Sequence, residues 1–347
     1  MKKVTLIAII CCLAGLFLMI IAACLFRGKS TMLWSGKGGA EYVKKTYECK
    51  NTIDDINIEM TSDSVKVVRG NVSNIKIEYV EVPDRYIYEI DESGSNLSIK
   101  YKTISNFSLF TISIGINDTS MTVTVPSDFD GKLNIKSSSG SIRTESLTLE
   151  SLNLTNTSGS IKINDCDVKD DINAKNSSGS INIQKASGAD ITATNTSGGV
   201  RLENVKASGK VEAESSSGSV RFNDVKAEGD LSGKATSGSV RLDRITCEEL
   251  TLKANSGSIH LNDVKAEGSF EAKTSSGGIH FDALEVGKDI SMSANSGSIR
   301  GTIIGSEDDY SIISKTGSGS CNLNDSRNGS KNMDVSTTSG SIKIYFD

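Results

Sequence analysis

The chain has 347 residues, 23% of them charged, with a formal net charge of -5, two prolines, one tryptophan and seven cysteines. A mildly acidic balance argues against a nucleic-acid binder, which needs a basic footprint. Cys49, Cys166, Cys247 and Cys321 are scattered with no Cys-x-x-Cys and no close pair, which argues against a disulfide framework.

The first element is apolar. Val4 to Phe26 is 23 residues without a charge, preceded by Lys2 and Lys3. That is long enough to span a bilayer and longer than the roughly 7 to 15 residues of a cleaved signal's apolar core. The pattern predicts a transmembrane anchor over residues 1–26. The alternative is a lipoprotein signal, because Ile21-Ala22-Ala23-Cys24 resembles a lipobox and would make Cys24 the lipidated residue. Either way the chain is tethered to the membrane. Arg27, Lys29, Lys37, Lys44 and Lys45 follow the apolar run, so the count of cations does not favour an outside C-terminus. Placement at the extreme N-terminus favours export, and the expected location is the cell membrane with the remainder extracytoplasmic. Unpaired thiols are awkward for that location, since they equally suit a cytosolic domain.

Residues 27–46 read as a flexible Gly/Lys/Ser linker. From Tyr47 apolar residues alternate with polar ones, as in Ile56, Ile58 and Met60 or Val65 and Val67, with irregular spacing and most of the aromatics. Residues 47–135 are therefore expected to form irregular first coils and a cap, with Asn106 to Ser120 as a protruding loop.

Residues 136–347 are periodic. Ser-Gly recurs with its glycines at Gly140, Gly159, Gly179, Gly198, Gly218, Gly238, Gly257, Gly277, Gly297, Gly319 and Gly340, spaced 19 to 22 residues apart. One repeat, Ser197 to Ser217, shows Val200 and Leu202 alternating with Arg201 and Glu203, a break at Asn204, then Val205. A polar turn over Lys206 to Lys210 leads to Val211, Glu212, Ala213 and Glu214. Period-two alternation between Ser/Gly/Asn bends predicts two short strands per repeat. Other repeats keep these columns: Ile181, Val200, Val220, Val240, Ile259 and Ile279 in the first strand, and Ile191, Val211, Leu231 and Leu250 in the second. Two such strands cannot bury a face alone, but coils stacked at about 4.8 Å can. The expected fold is all-β, a β-solenoid of ~20-residue coils behind a transmembrane helix. A propeller would need four strands in each repeat of about 40 residues.

With Ile53-Asp54-Asp55-Ile56-Asn57-Ile58, the strand Met121-Thr122-Val123-Thr124-Val125-Pro126 and the following Ser-Gly-Ser-Ile repeats, the chain resembles the bacterial β-strand-repeat adhesins, or toastrack domains. The likeness covers roughly residues 47–347 and includes LiaG-like proteins of Gram-positive envelope-stress loci. It implies a β-solenoid adhesin-like or envelope-stress module. The family has no agreed ligand and no catalytic residues to carry over.

Serine beside glycine in every repeat is a corner, not a nucleophile, because no histidine and acid accompany it. His260 and His280 fall in one column and could share a metal with Asp282; the column otherwise holds arginine, so an exposed cation is the simpler reading. No metal or other cofactor is expected. The candidate site is that column: Lys162, Arg201, Arg221, Arg241, His260, His280 and Arg300, continuing to Lys343. Stacked outward, these form a cationic stripe for a polyanion such as wall polymer or lipid headgroups. Glu203, Asn223, Asp243, Asn262 and Asp282, two residues on, could instead neutralise it. The functional reading is a non-catalytic display module facing cell-wall polymer or an envelope-stress membrane partner. A polysaccharide-acting solenoid enzyme and a cytosolic-facing scaffold that polymerises end to end are the alternatives.

Overall fold

The computed structural model describes residues 42–83, 85–104 and 120–347. The predicted anchor with Cys24, and the predicted loop apart from Ser120, lie outside the described residues. The last predicted linker residues belong instead to an edge strand, Val43–Glu48.

Each repeat lays down one strand of eight residues and one of five, as in Val200–Ala207 followed by Val211–Ser215. The break at Asn204 is a left-handed residue with φ 53°, and Ser146, Asp165, Lys185, Asp224, Arg244, Asp263 and Ala283 repeat it in the other coils. One extra residue at this point shifts the inward positions, so Val200, Leu202, Val205 and Ala207 all reach the core. The strand consequently runs to Ala207, and the polar turn expected from Lys206 begins two residues later.

The eight-residue strands form one fourteen-stranded sheet and the five-residue strands another. Within the repeats all pairing is parallel and in register, with Ile259 on Ile279 and Phe270 on Ile290. Like therefore stacks on like, and the aliphatic columns become continuous ladders between the sheets.

The Ser-Gly corner has a steric cause. A Cβ on Gly159 would overlap the Gly140 carbonyl, and each corner glycine from Gly179 to Gly297 meets its predecessor in the same way. Only glycine lets these backbones approach to strand spacing. The carbonyl is then satisfied from the end of the five-residue strand. Asn156 Nδ2 donates to Gly140 O at 2.7 Å, Asn176 to Gly159 at 2.8 Å, and the Ser215 hydroxyl to Gly198 at 2.8 Å. These buried polar side chains remove the cost of an unpaired interior carbonyl.

At neither end do both sheets follow chain order. Asp55–Met60 and Val65–Arg69 form a coil directly against Lys132–Ser137 and Ile142–Leu149. The chain between them runs outward: Asn96–Thr103 and Met121–Val125 cover the far side of that first coil. The antiparallel strands Val43–Glu48, Lys76–Glu81 and Tyr86–Ser93 then close the sheets. In this first coil Asp63 stands at the corner where later coils have glycine. It is buried and accepts a hydrogen bond from Tyr88, inside a cluster with Tyr79, Tyr86 and Tyr101.

At the other end Lys331–Ser339 sits on Ile290–Ala294, and Ile342–Phe346 on Ile299–Ile303. Tyr310–Ser318, earlier in the chain, is the outermost strand of its sheet. The final strand carries two aromatics with different fates. The Phe346 ring packs 5.9 Å from that of Tyr310, while Tyr345 points outward and is 61% exposed.

Candidate polyanion-binding groove

Residues two and four of each eight-residue strand point outward on one face. The second-position column, read through the parallel registers, is Lys66, Arg143, Lys162, Asn182, Arg201, Arg221, Arg241, His260, His280, Arg300 and Lys343. All seven predicted stripe residues thus stand in one ladder. Sequence reading missed Arg143, although it follows the same Ser-Gly-Ser-Ile motif, and Lys66, whose corner lacks glycine. It also missed that Asn182 interrupts the charge.

The fourth-position column carries Glu145, Asn164, Gln184, Glu203, Asn223, Asp243, Asn262 and Asp282. Expected neutralisation between the columns occurs only in places. Arg201 pairs with Glu203 at 3.0 Å and Lys66 with Glu145 at 2.8 Å. Asp243 is taken by Arg244, the left-handed residue of its strand, which also holds Asp224 at 2.5 Å. That arginine keeps the Asp224 carboxyl below its ordinary value through the hydrogen bond between them. Among the described residues Arg221, Arg241 and Arg300 form no ion pair.

Between the columns lies a groove. From Arg201 to Tyr345 it encloses about 810 Å³ over Phe222, Leu242, Leu261 and Phe281, the inward residues that separate the columns. Beyond Arg201 a second hollow of about 500 Å³ continues it past Lys162 to Arg143. Lys343 and Tyr345 stand at the far end, where Tyr345 occupies the fourth-position place opposite Thr302.

His260 and His280 stack with ring centroids 5.1 Å apart and planes inclined by 26°. Burial lowers both pKa values from the ordinary one; Arg241 and Arg300 lower that of His260 further, and Arg300 and His260 that of His280. At neutral pH they are a neutral polar pair between arginines. The Nδ1 of His280 is buried without a hydrogen-bond partner. Among the described residues no three His, Cys, Asp or Glu side chains are placed to hold a metal, so Asp282 does not join the histidines as a ligand set.

Cys49, Cys166 and Cys247 are buried free thiols and Cys321 is half-buried. Burial pushes Cys49 and Cys247 up to about 12. They behave as small core hydrophobes rather than nucleophiles.

Parallel coils with glycine corners, closed by irregular ends and carrying an outward cationic ladder, define a two-sheet β-solenoid. The sequence matches the Toastrack family, DUF4097, over residues 53–243 and 169–345, and the chain belongs to that family. No curated protein matches it. Among solved structures it is similar to a putative adhesin from Bacteroides fragilis NCTC 9343, at 14% identity and TM-score 0.33, over 88% of this chain and 98% of that one. A putative adhesin from Parabacteroides merdae ATCC 43184 aligns at 15% identity and TM-score 0.32, over 77% and 94%. A putative cell adhesion protein from Clostridium sporogenes ATCC 15579 aligns at 9% identity and TM-score 0.29, over 88% and 100%.

Proposed function

We propose that this protein is a non-catalytic, membrane-tethered display module whose solenoid stands outside the cytoplasm and holds its cationic ladder against anionic cell-wall polymer. One observation carries the reading: Arg221, Arg241 and Arg300 share a register-locked column and lack carboxylate partners among the described residues. Charges held a few ångströms apart without neutralisation raise the local potential and attract an extended polyanion. The uncharged apolar run Val4–Phe26 supports the tether. A solenoid depolymerase would need a carboxylate pair across a cleft; here Asp243 is engaged by Arg244 and Glu203 by Arg201.

Purified full-length protein in detergent should sediment with isolated cell walls, and added salt should release it. Joint charge reversal of Arg201, Arg221 and Arg241 to Glu should weaken sedimentation at least tenfold while the thermal transition stays in place. Unchanged sedimentation would remove the ladder from function. Protease digestion of intact cells, with loss of the solenoid expected, tests which side of the membrane it occupies.

A further inference from the structure

The two walls of the groove make different chemical demands. One wall is cationic, through Arg221, Arg241 and Arg300. The facing wall alternates amide and carboxylate: Asn223, Asp243, Asn262, Asp282. Among the described residues the Asp282 carboxylate has no hydrogen-bond or ion-pair partner. A ligand that was only anionic, such as a polyphosphate, would satisfy the first wall and be repelled by Asp282 on the second, where Asp243 is already neutralised by Arg244. A ligand carrying both anionic groups and hydroxyl donors satisfies both, since carboxylates and amide oxygens accept from hydroxyls while arginines bind the anions.

Three further features narrow the ligand. The neutral pair His260 and His280 interrupts the cations midway along the groove and offers imidazole donors and acceptors instead of charge. The floor is apolar, set by Leu242, Leu261 and Phe281. The groove ends at Tyr345, a ring 61% exposed in the column that carries acids and amides as far as Asp282 and a threonine at Thr302. An exposed aromatic ring at the end of a polar groove is a platform for the C–H face of a sugar ring, which is apolar while its edge is polar.

We propose that this groove binds a linear acidic polysaccharide running along the stacking direction. Its anionic groups lie on the arginine wall, its hydroxyls on the Asn/Asp wall, and one sugar ring stacks on Tyr345. This rests on the wall-polymer reading above and specifies the class of polymer. An anionic lipid surface is not the occupant proposed, because a flat bilayer would not enter the groove to meet its Asn/Asp wall and apolar floor.

The test uses full-length protein in neutral detergent and three soluble probes: polygalacturonate, long-chain polyphosphate and linear dextran. The expected result is polygalacturonate binding at least tenfold tighter than polyphosphate, with dextran not detected. Tyr345→Ala should weaken polygalacturonate about fivefold and leave polyphosphate unchanged. Asp282→Ala should narrow the gap between the two polyanions. Both residues are exposed, and a retained thermal transition shows that the variants fold. Polyphosphate binding as tightly as polygalacturonate overturns the proposal while leaving a general polyanion ladder standing. Binding to neither polyanion overturns both. Capture by phosphatidylglycerol vesicles in preference to polygalacturonate, or a Tyr345→Ala variant that binds as the parent does, also overturns it.

Discussion

Phe222 and Gly233 face each other across the core, and a Cβ on Gly233 would stand 2.9 Å from the Phe222 ring. Here the long strand carries the larger side chain and the short strand has none. Gly233→Ala should destabilise the protein by about 1–3 kcal/mol, since its neighbours Val240 and Leu252 would lie at 3.0 and 3.1 Å from the added carbon. Combining it with Phe222→Leu should recover part of that loss. Denaturant titration of the two single variants and the double variant measures the coupling, and strictly additive losses would show that the pair does not compensate.

The corner glycines should be far less tolerant than the serines beside them. Gly159→Ala forces a methyl group into the Gly140 carbonyl and should cost about 1–3 kcal/mol, with unfolding as the extreme outcome. The exposed Ser158→Ala should stay within about 0.5 kcal/mol of the parent. Equal melting temperatures for the two variants would contradict the steric account.

Ala283 sits in the left-handed region at φ 52°, at a place held by Asn or Asp in several other coils. A side chain there strains the backbone, and alanine has no amide to compensate with a local hydrogen bond. Ala283→Gly should therefore raise stability by about 0.5–1 kcal/mol, the strain relieved less the added chain entropy. A lowered melting temperature would mean that the bulge is not strained.

Acid should loosen the histidine coils. The ordinary histidine value is about 6.5, and the fold lowers it for both residues through burial first and then through neighbouring cations, Arg300 beside both and Arg241 beside His260. Just below that pH the unfolded chain takes up more protons than the folded one, so stability falls as pH drops through that interval. The His260→Asn, His280→Asn double variant should lose less melting temperature between pH 7.5 and 5.5 than the parent. Asparagine already occupies the column at Asn182. Identical losses would assign the acid sensitivity to the carboxylates.

Much of the fold was legible because each coil stacks on its own kind. Ile259 over Ile279 is a contact that the repeat itself announces. The stripe was legible for the same reason, and only Lys66, Arg143 and Asn182 escaped. What could not be read was set by competition or by space. Whether Asp243 neutralises Arg241 depends on Arg244, which lies nearer once its left-handed backbone turns it towards the carboxylate. The corner at Asp63 was hidden because a buried tyrosine hydroxyl supports it in glycine's absence. Alternation identified the strands near each end, yet says nothing of which neighbours they choose, so Tyr310–Ser318 lying outside Lys331–Ser339 had no signal.

Because the chain loops outward and returns at both ends, Asp55–Met60 and Lys331–Ser339 are interior to their sheet, covered by strands that come from elsewhere in the sequence. Whole twenty-residue units can be gained or lost between Ile161 and Ala294 without disturbing either closure. The number of coils is thus free to drift by duplication and deletion, and the reach of such a molecule becomes a heritable length that selection can adjust without redesigning its ends.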